Sequence, residues 1–233
     1  MSDRLLHHSR TLFGRRKGKT LSTKRIKVVD RFLPDLRLPV AINNGVLLDP
    51  QYLFTTLKTD LWMEIGFGSG EHLAWQAQTH ADIGFIGAEP FFNGVASMVR
   101  YVDELALKNV RIWDGDARVV LRALPDNSLG RVFALFQDPW PKTRHAYRRI
   151  INRELLDSLA RIMRSGSQFR WATDHPVFLR WSLNQCLNHD QFKWDVRSLS
   201  DWSSRPDDWP ETRYEAKATR KDRISRYFTF LRV

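Results

Sequence analysis

At 233 residues the chain holds one sizeable domain with extensions, or at most two small ones, and its 42% hydrophobic share is enough for a core, which excludes a wholly unfolded chain. A formal net charge of +11 directs attention to polyanionic partners, nucleic acid first and an acidic membrane surface second. The single cysteine, Cys186, excludes an intramolecular disulfide and a thiolate metal site.

Residues 1–37 carry Arg4, Arg10, Arg15, Arg16, Lys17, Lys19, Lys24, Arg25, Lys27, Arg31 and Arg37 against Asp3, Asp30 and Asp35. With few large apolar residues before Ile26, this stretch reads as a flexible basic arm, and 38–233 as the folded domain. The run Leu33-Pro-Asp-Leu-Arg-Leu-Pro39 is expected to break any helix twice. There is no apolar segment of signal-peptide type and no run near the ~20 residues of a membrane helix, so a soluble protein of the cytoplasm is expected.

From Leu61 a strand–helix rhythm sets in. Leu61–Ile65 predicts a first strand, Glu71–His80 a helix, Ile83–Ala88 a second strand and about Gly94–Leu107 a helix. Val110–Trp113 predicts a third strand, Ala117–Leu124 a short helix, and the wholly apolar Val132–Phe136 a fourth strand buried on both faces. A basic helix over about His145–Arg164 follows, then a fifth strand at Gln168–Ala172, a helix after Pro176, a loop over Ser203–Pro210 and a last strand at Tyr227–Leu231. Such alternation implies an α/β fold, a parallel sheet with helices on both faces. Cys186 reads as a small core residue.

The first strand turns into the first helix through Glu64-Ile-Gly66-Phe-Gly68-Ser-Gly70. Glycines here accept positive φ and let backbone approach a ligand. A dinucleotide fingerprint would place its third glycine at position 71, which is Glu71, and a diphosphate favours a helix start free of anions. Glu64 and Glu71 flank this turn, so a phosphate-free, sulfonium-bearing cofactor, S-adenosylmethionine, suits it better than NAD. Glu89 ends the second strand, about 20 residues on, where an acid binds ribose hydroxyls, unless it is a solvated strand-end charge. Asp116 follows the third strand and serves either as acceptor for an adenine amino group or as a helix N-cap, or as both.

Gln137-Asp138-Pro139-Trp140-Pro141 ends the fourth strand, at the switch point where doubly wound sheets bind ligands. The prolines fix the backbone and direct the Asp138 carboxylate at the crevice. Trp140 either stacks on a base or belongs to the core. The cations Lys142, Arg144, Arg148 and Arg149 follow directly, positioned to clamp phosphates. Asp174, after the fifth strand, is either an acceptor for guanine N1 and N2 donors or the N-cap of the next helix. His175 has no second histidine at metal-ligand spacing.

Taken together, Glu64–Gly70, Gly87-Ala-Glu89, Asp116-Ala, Asp138-Pro-Trp-Pro-Lys142-x-Arg144-His, Ala172-Thr-Asp174 and Thr212-Arg-Tyr-Glu215 resemble the bacterial tRNA (guanine-N7-)-methyltransferases. Phe13-Gly-Arg-Arg16 is also similar, so the likeness runs from about residue 10 to the C-terminus. The glycine loop is generic; the Asp-Pro-Trp-Pro-Lys-x-Arg-His run and the late Thr-x-x-Glu are specific. One departure is Gln137, where that family usually has proline. The resemblance implies a Rossmann-like class I methyltransferase sheet closed by a C-terminal antiparallel strand. It implies S-adenosylmethionine as cofactor and a guanine of the tRNA variable loop as methyl acceptor. It places Glu64, Gly66, Gly68, Gly70, Glu89, Asp116 and Asp138 at the cofactor, with Asp138 catalytic. Lys142, Arg144, Asp174, Thr212, Arg213, Tyr214 and Glu215 would meet the substrate. A metal-free monomer acting on tRNA, away from membranes, is the resulting expectation.

Overall fold

Seven strands form one sheet in the computed structural model, which describes residues 12–233. They are β1 (Asp60–Ile65), β2 (Ile83–Ala88), β3 (Val110–Trp113), β4 (Leu129–Leu135), β5 (Met163–Thr173), β6 (Phe192–Trp194) and β7 (Arg226–Arg232), in the order β3-β2-β1-β4-β5-β7-β6. β1 to β5 are parallel, and β7 inserts antiparallel between β5 and β6. The chain goes from β1 to β2 on one side and comes back to β4 on the other. The crevice at the carboxyl ends of β1 and β4 is therefore the switch point.

The helices are α1 (Thr23–Leu36), α2 (Glu71–Thr79), α3 (Phe92–Glu104), α4 (Ala117–Ala123), α5 (Arg153–Ile162), α6 (Pro176–Leu187), α7 (Ser200–Ser203) and α8 (Arg213–Thr219). Alternation along β1 sorts them into two layers. Leu61, Met63 and Ile65 enter a core shared with α4, α5 and α6, while Trp62 enters one shared with α1, α2 and α3. Met63, Val132 and Phe169 are fully buried, and truncating such a residue to alanine typically costs about 2–5 kcal/mol. Cys186 is also fully buried, as expected, and burial pushes its thiol pKa up.

The basic arm needs correction over residues 23–36, which form α1; residues 1–11 lie outside the described part. Val29, Leu33 and Leu36 are buried on α1, at spacings of four and three that make one helical stripe. That stripe packs against α3 and β3, and Arg37 completes the attachment through its ion pair with Asp114 and a bridge to Ile112. Pro34 does not break the helix. It sits in the last turn, where its missing N–H forfeits one bond just before the end, and Arg37 N–H closes the turn on Leu33 O at 2.9 Å.

The expected long basic helix over 145–164 is also corrected. A 3-10 turn covers Thr143–Arg148, the chain extends through Arg149 and Asn152, and α5 starts afresh with Asn152 as its cap, Oδ1 accepting from Leu155 N at 3.0 Å. Arg149 stands at the break, buried, with its side chain turned back onto the carbonyls of Pro139 and Trp140. β6, α7 and α8 were not anticipated; they are three, four and seven residues long, too short for a periodic signal.

Candidate active site

A cavity of about 530 Å3 opens at the carboxyl ends of β1, β2 and β4. Gly66, Gly68, Glu89, Asp116, Asp138 and Tyr214 are on its wall. The turn from β1 to α2 has positive φ at Gly66, Gly68 and Gly70 (68°, 56° and 83°), which explains three glycines in five residues. α3 closes on this turn so tightly that a Cβ at Gly94 would lie 2.0 Å from the Gly68 carbonyl oxygen.

Glu89 is the most constrained acid of the site. Oε2 accepts from Gly68 N–H at 2.7 Å and Oε1 from Phe91 N–H at 2.8 Å. Burial pushes its pKa up to about 7; the two backbone N–H groups oppose that rise, and the Asp138 and Glu64 charges add to it. Each oxygen keeps a lone-pair direction beyond its backbone bond, so the carboxylate can take two further donors, as a vicinal diol offers. It is buried at 7% exposure, which rules out the solvated strand-end alternative.

Asp116 takes the N-cap alternative and also lines the cavity. It caps α4, accepting from Arg118 N–H at 2.9 Å, and it lines the cavity, where Arg118 Nε reaches both its oxygens at 3.0 and 2.9 Å. Asp138 is open to the cavity, and partial burial raises its pKa. Glu64 faces away, onto the far side of the glycine turn, where its Oε2 lies 2.8 Å from His72 Nδ1 with both groups buried. Gly70 likewise stands behind the wall, packed on Met98.

Trp140 stands at the cavity mouth in the left-handed region (φ 40°), not in the core. Its ring meets Phe13 edge-on with centroids 6.3 Å apart, and Arg148 lies 4.9 Å from its centroid. Phe13 also packs edge-on against Tyr147 at 5.5 Å. The segment 12–19 forms a strap along the cleft. Asn93 of α3 fastens it with two bonds, accepting from Gly18 N–H at 2.8 Å and donating to Lys19 O at 2.7 Å. The Phe13-Gly-Arg-Arg16 likeness was the only sequence signal of this strap.

Lys142 and Arg144 are exposed beyond the Asp138 turn. Arg149, read as a phosphate clamp, is instead buried: its Nε donates to Pro139 O at 3.1 Å and its Nη2 to Trp140 O at 2.9 Å, holding the turn from behind. Asp174 is not an N-cap, since His175 takes that place on α6 through Nδ1; Asp174 pairs with Arg223 at 3.2 Å.

Thr212 and Glu215 are buried and form a reciprocal capping box on α8. Glu215 Oε2 accepts from Thr212 N–H at 2.8 Å, and Oε1 accepts from the Tyr227 hydroxyl of β7 at 2.6 Å. This box orients the two residues between. Arg213 is exposed and pairs with Glu71, while Tyr214 turns onto the cavity wall. The Tyr214 ring is parallel to that of Phe136 (7°, centroids 6.4 Å apart) and rests against Gly68, where a Cβ would come within 3.0 Å of the phenol oxygen. Burial raises the Tyr214 pKa, and the charges of Glu89, Glu71 and Asp138 add to the rise.

The cleft thus has carboxylates around its glycine turn, while its cations stand away from that turn, Arg118 paired with Asp116 on the wall and Arg15 and Arg148 near the mouth. That arrangement suits an uncharged sugar and a cationic centre and repels a diphosphate. Among the described residues there is no cluster of potential metal ligands, and no helix is long and apolar enough to cross a membrane.

A switch-point crevice of this kind under a seven-stranded sheet with an antiparallel β7 defines a Rossmann-like methyltransferase. Residues 58–226 match the family model described as putative methyltransferase. Among solved structures, an rRNA methylase from Streptococcus thermophilus shares the fold with a TM-score of 0.53 at 8% identity, over 76% of this chain and 89% of that one. The TrmN structure from Thermus thermophilus has a TM-score of 0.52 at 13% identity, over 78% of this chain and 47% of that one. The tRNA (guanine-N(7)-)-methyltransferase of Rhodospirillum rubrum is 47% identical over 94% of this chain and 87% of its own length. That of Bartonella quintana is 38% identical over the full length of both. The chain belongs to the tRNA (guanine-N(7)-)-methyltransferase family.

Proposed function

We propose that this enzyme transfers the methyl group of S-adenosylmethionine to N7 of a guanine in the variable loop of tRNA. The observation that carries the reading is Glu89: buried, held by two backbone N–H groups, and open to the same cavity that Asp138 faces. The cofactor supplies a methyl group on a sulfonium. Glu89 accepts the ribose hydroxyls, Asp116 stands at the adenine end, and the Gly66–Gly70 turn lets the backbone close on the ligand, with Glu64 and Gly70 supporting it from behind.

Guanine N7 has a lone pair and no proton, so the transfer needs no general base. Positive charge grows on the purine, and Asp138, fixed beside the cavity, stabilises that charge more in the transition state than before it. Trp140 and Tyr214 offer ring faces at the mouth and on the wall, against which an extruded base stacks. Lys142 and Arg144 hold backbone phosphates outside, which orients the loop without reading its sequence. Asp174 and Arg213 form the polar rim on the α8 side, and Thr212 with Glu215 sets the direction of that rim.

The test incubates the full chain with bulk tRNA and methyl-labelled S-adenosylmethionine, then maps the labelled base by borohydride and aniline cleavage, to which N7-methylguanosine is sensitive. Label at a single variable-loop guanine is expected. Label elsewhere, or none with cofactor bound, overturns the reading.

A further inference from the structure

We propose that Gln137 is a positioning residue whose side-chain amide sets the width of the crevice between the glycine turn and Asp138. The inference rests on the methyl-transfer reading above. β1 and β4 pair in register as far as Glu64 and Phe133, after which the two strands part to form the crevice. At the point of parting, Gln137 Nε2 donates to Ile65 O at 2.7 Å and to Leu135 O at 3.2 Å. One carboxamide thus bridges the last carbonyls of both strands and replaces a ladder bond that their backbones no longer make.

The fit around it is close. A Cβ on Gly66 would come within 2.8 Å of both terminal atoms of the Gln137 amide. The glycine that begins the turn therefore also leaves the space the amide occupies. On its own side, Gln137 stands between two bulky residues in the left-handed region, Phe136 (φ 48°) and Trp140 (φ 40°). Such residues persist only where their surroundings hold them. From the β5 side the hold is Phe136 N–H on Ala172 O at 2.8 Å, and from behind it is Arg149 on Pro139 O and Trp140 O. Gln137 supplies the tie toward β1, and through Ile65 it joins the turn that carries Asp138 to the turn that carries Gly68 and, by hydrogen bond, Glu89. A proline at 137 could not make this tie, since it has no side-chain donor.

The role is donor chemistry, so it can be separated from shape. Gln137→Met keeps the bulk and removes the donor. Gln137→Glu keeps the shape but, when ionised, turns two oxygens toward two carbonyls; once protonated it regains an O–H for Ile65 O. Single-turnover methylation of tRNA at saturating cofactor, with tRNA and 5′-methylthioadenosine binding measured alongside, reads the effect. A small displacement of reacting groups costs up to about a hundredfold, so both variants are expected to lose about tenfold to a hundredfold at pH 8 with tRNA affinity unchanged. As the pH is lowered, the deficit of Gln137→Glu relative to the parent should shrink and that of Gln137→Met should not. A Met variant at the parent rate, or a Glu deficit that tracks the Met deficit at every pH, overturns the proposal. A Met variant that does not fold leaves the Glu variant, read against the parent across pH, to decide, and a Glu deficit that does not shrink on acidification then overturns the proposal. A parent chain that binds cofactor and methylates nothing would count against the proposed function instead.

Discussion

With Glu89 as the proposed ribose acceptor, cofactor affinity should depend on pH in a way that can be worked out beforehand. In the free protein its carboxyl titrates at about 7, mainly because it is buried. Only the ionised form presents two acceptors to a ribose diol. Binding should therefore be flat above pH 7 and weaken toward tenfold per unit below it. With a pKa of about 7, roughly nine-tenths of the sites are ionised at pH 8 and one-tenth at pH 6, a difference of about tenfold, or about 1.4 kcal/mol. The suitable probe is 5′-methylthioadenosine, which has the ribose and adenine and lacks the amino acid, whose own amine would titrate nearby. Calorimetry across pH 6–8 is expected to show about tenfold weaker binding at the acid end and proton release on binding. Glu89→Gln should flatten the profile and bind more weakly throughout, because an amide has one oxygen for two backbone donors. The same shift contributes to the stability of the ligand-free protein. The folded pKa lies above the ordinary value of 4.5, so the folded state holds the extra proton between pH 4.5 and 7. The Glu89 contribution to stability is then greatest below 4.5, declines by up to about 3 kcal/mol as the pH rises to 7, and is level above. A parent affinity constant from pH 8 to pH 6, or the same slope in Glu89→Gln, would refute this account.

Other expectations follow from the same geometry. Asp138→Asn should lower the single-turnover rate about a hundredfold to a thousandfold, the usual loss for a preorganised charge, with tRNA binding intact; a parent-like rate removes electrostatics from the mechanism. Since partial burial raises the Asp138 pKa, the parent rate should hold at alkaline pH and fall on acidification, a fall that Asp138→Asn should not show. Thr212→Ala should lower thermal stability by about 1–2 kcal/mol through loss of the α8 cap, and Glu215→Ala by more, since the Tyr227 hydroxyl loses its partner; unchanged melting would show that the box is dispensable. Deleting residues 1–22 should flatten the salt dependence of tRNA binding by about 0.7 in log–log slope for each single-stranded phosphate lost, and an unchanged slope would dismiss the strap as an RNA contact.

The strand–helix frame was legible because each parallel strand is a short apolar block and each turn carries its own punctuation. The places of Glu89, Asp116 and Asp138 on the cavity wall were readable for a related reason: each follows a strand end at the edge where such sheets bind ligands. What composition hid was α1. Its stripe of Val29, Leu33 and Leu36 is present in the sequence, but eleven cations across residues 1–37 and an internal proline outweighed it. Arg149 misled for the opposite reason, because a cation in a basic run gives no sign that its partners are the carbonyls of a turn ten residues back. Thr212 and Glu215 stand out as a motif, yet their burial depends on Tyr227 of β7, which no local pattern connects to them. Gln137 shows most plainly where local reading ends: its tie to Ile65 spans 72 positions and exists only once β1 and β4 lie side by side.

Cys186 has a practical consequence. Its thiol is fully buried under Trp171 in the layer between β5 and α6, and burial holds it protonated at ordinary pH. Maleimides and spin labels therefore have no native target while the fold is intact. A single cysteine introduced on the strap, at Lys17 or Lys19, or on the rim at Arg144, would take one probe cleanly on the wild-type background. The distance between two such probes, followed by fluorescence or electron resonance, would report in real time whether the strap stays fastened at Asn93 while RNA arrives. The same native thiol doubles as an alarm: its sudden reactivity toward a chromogenic disulfide marks the moment the sheet opens.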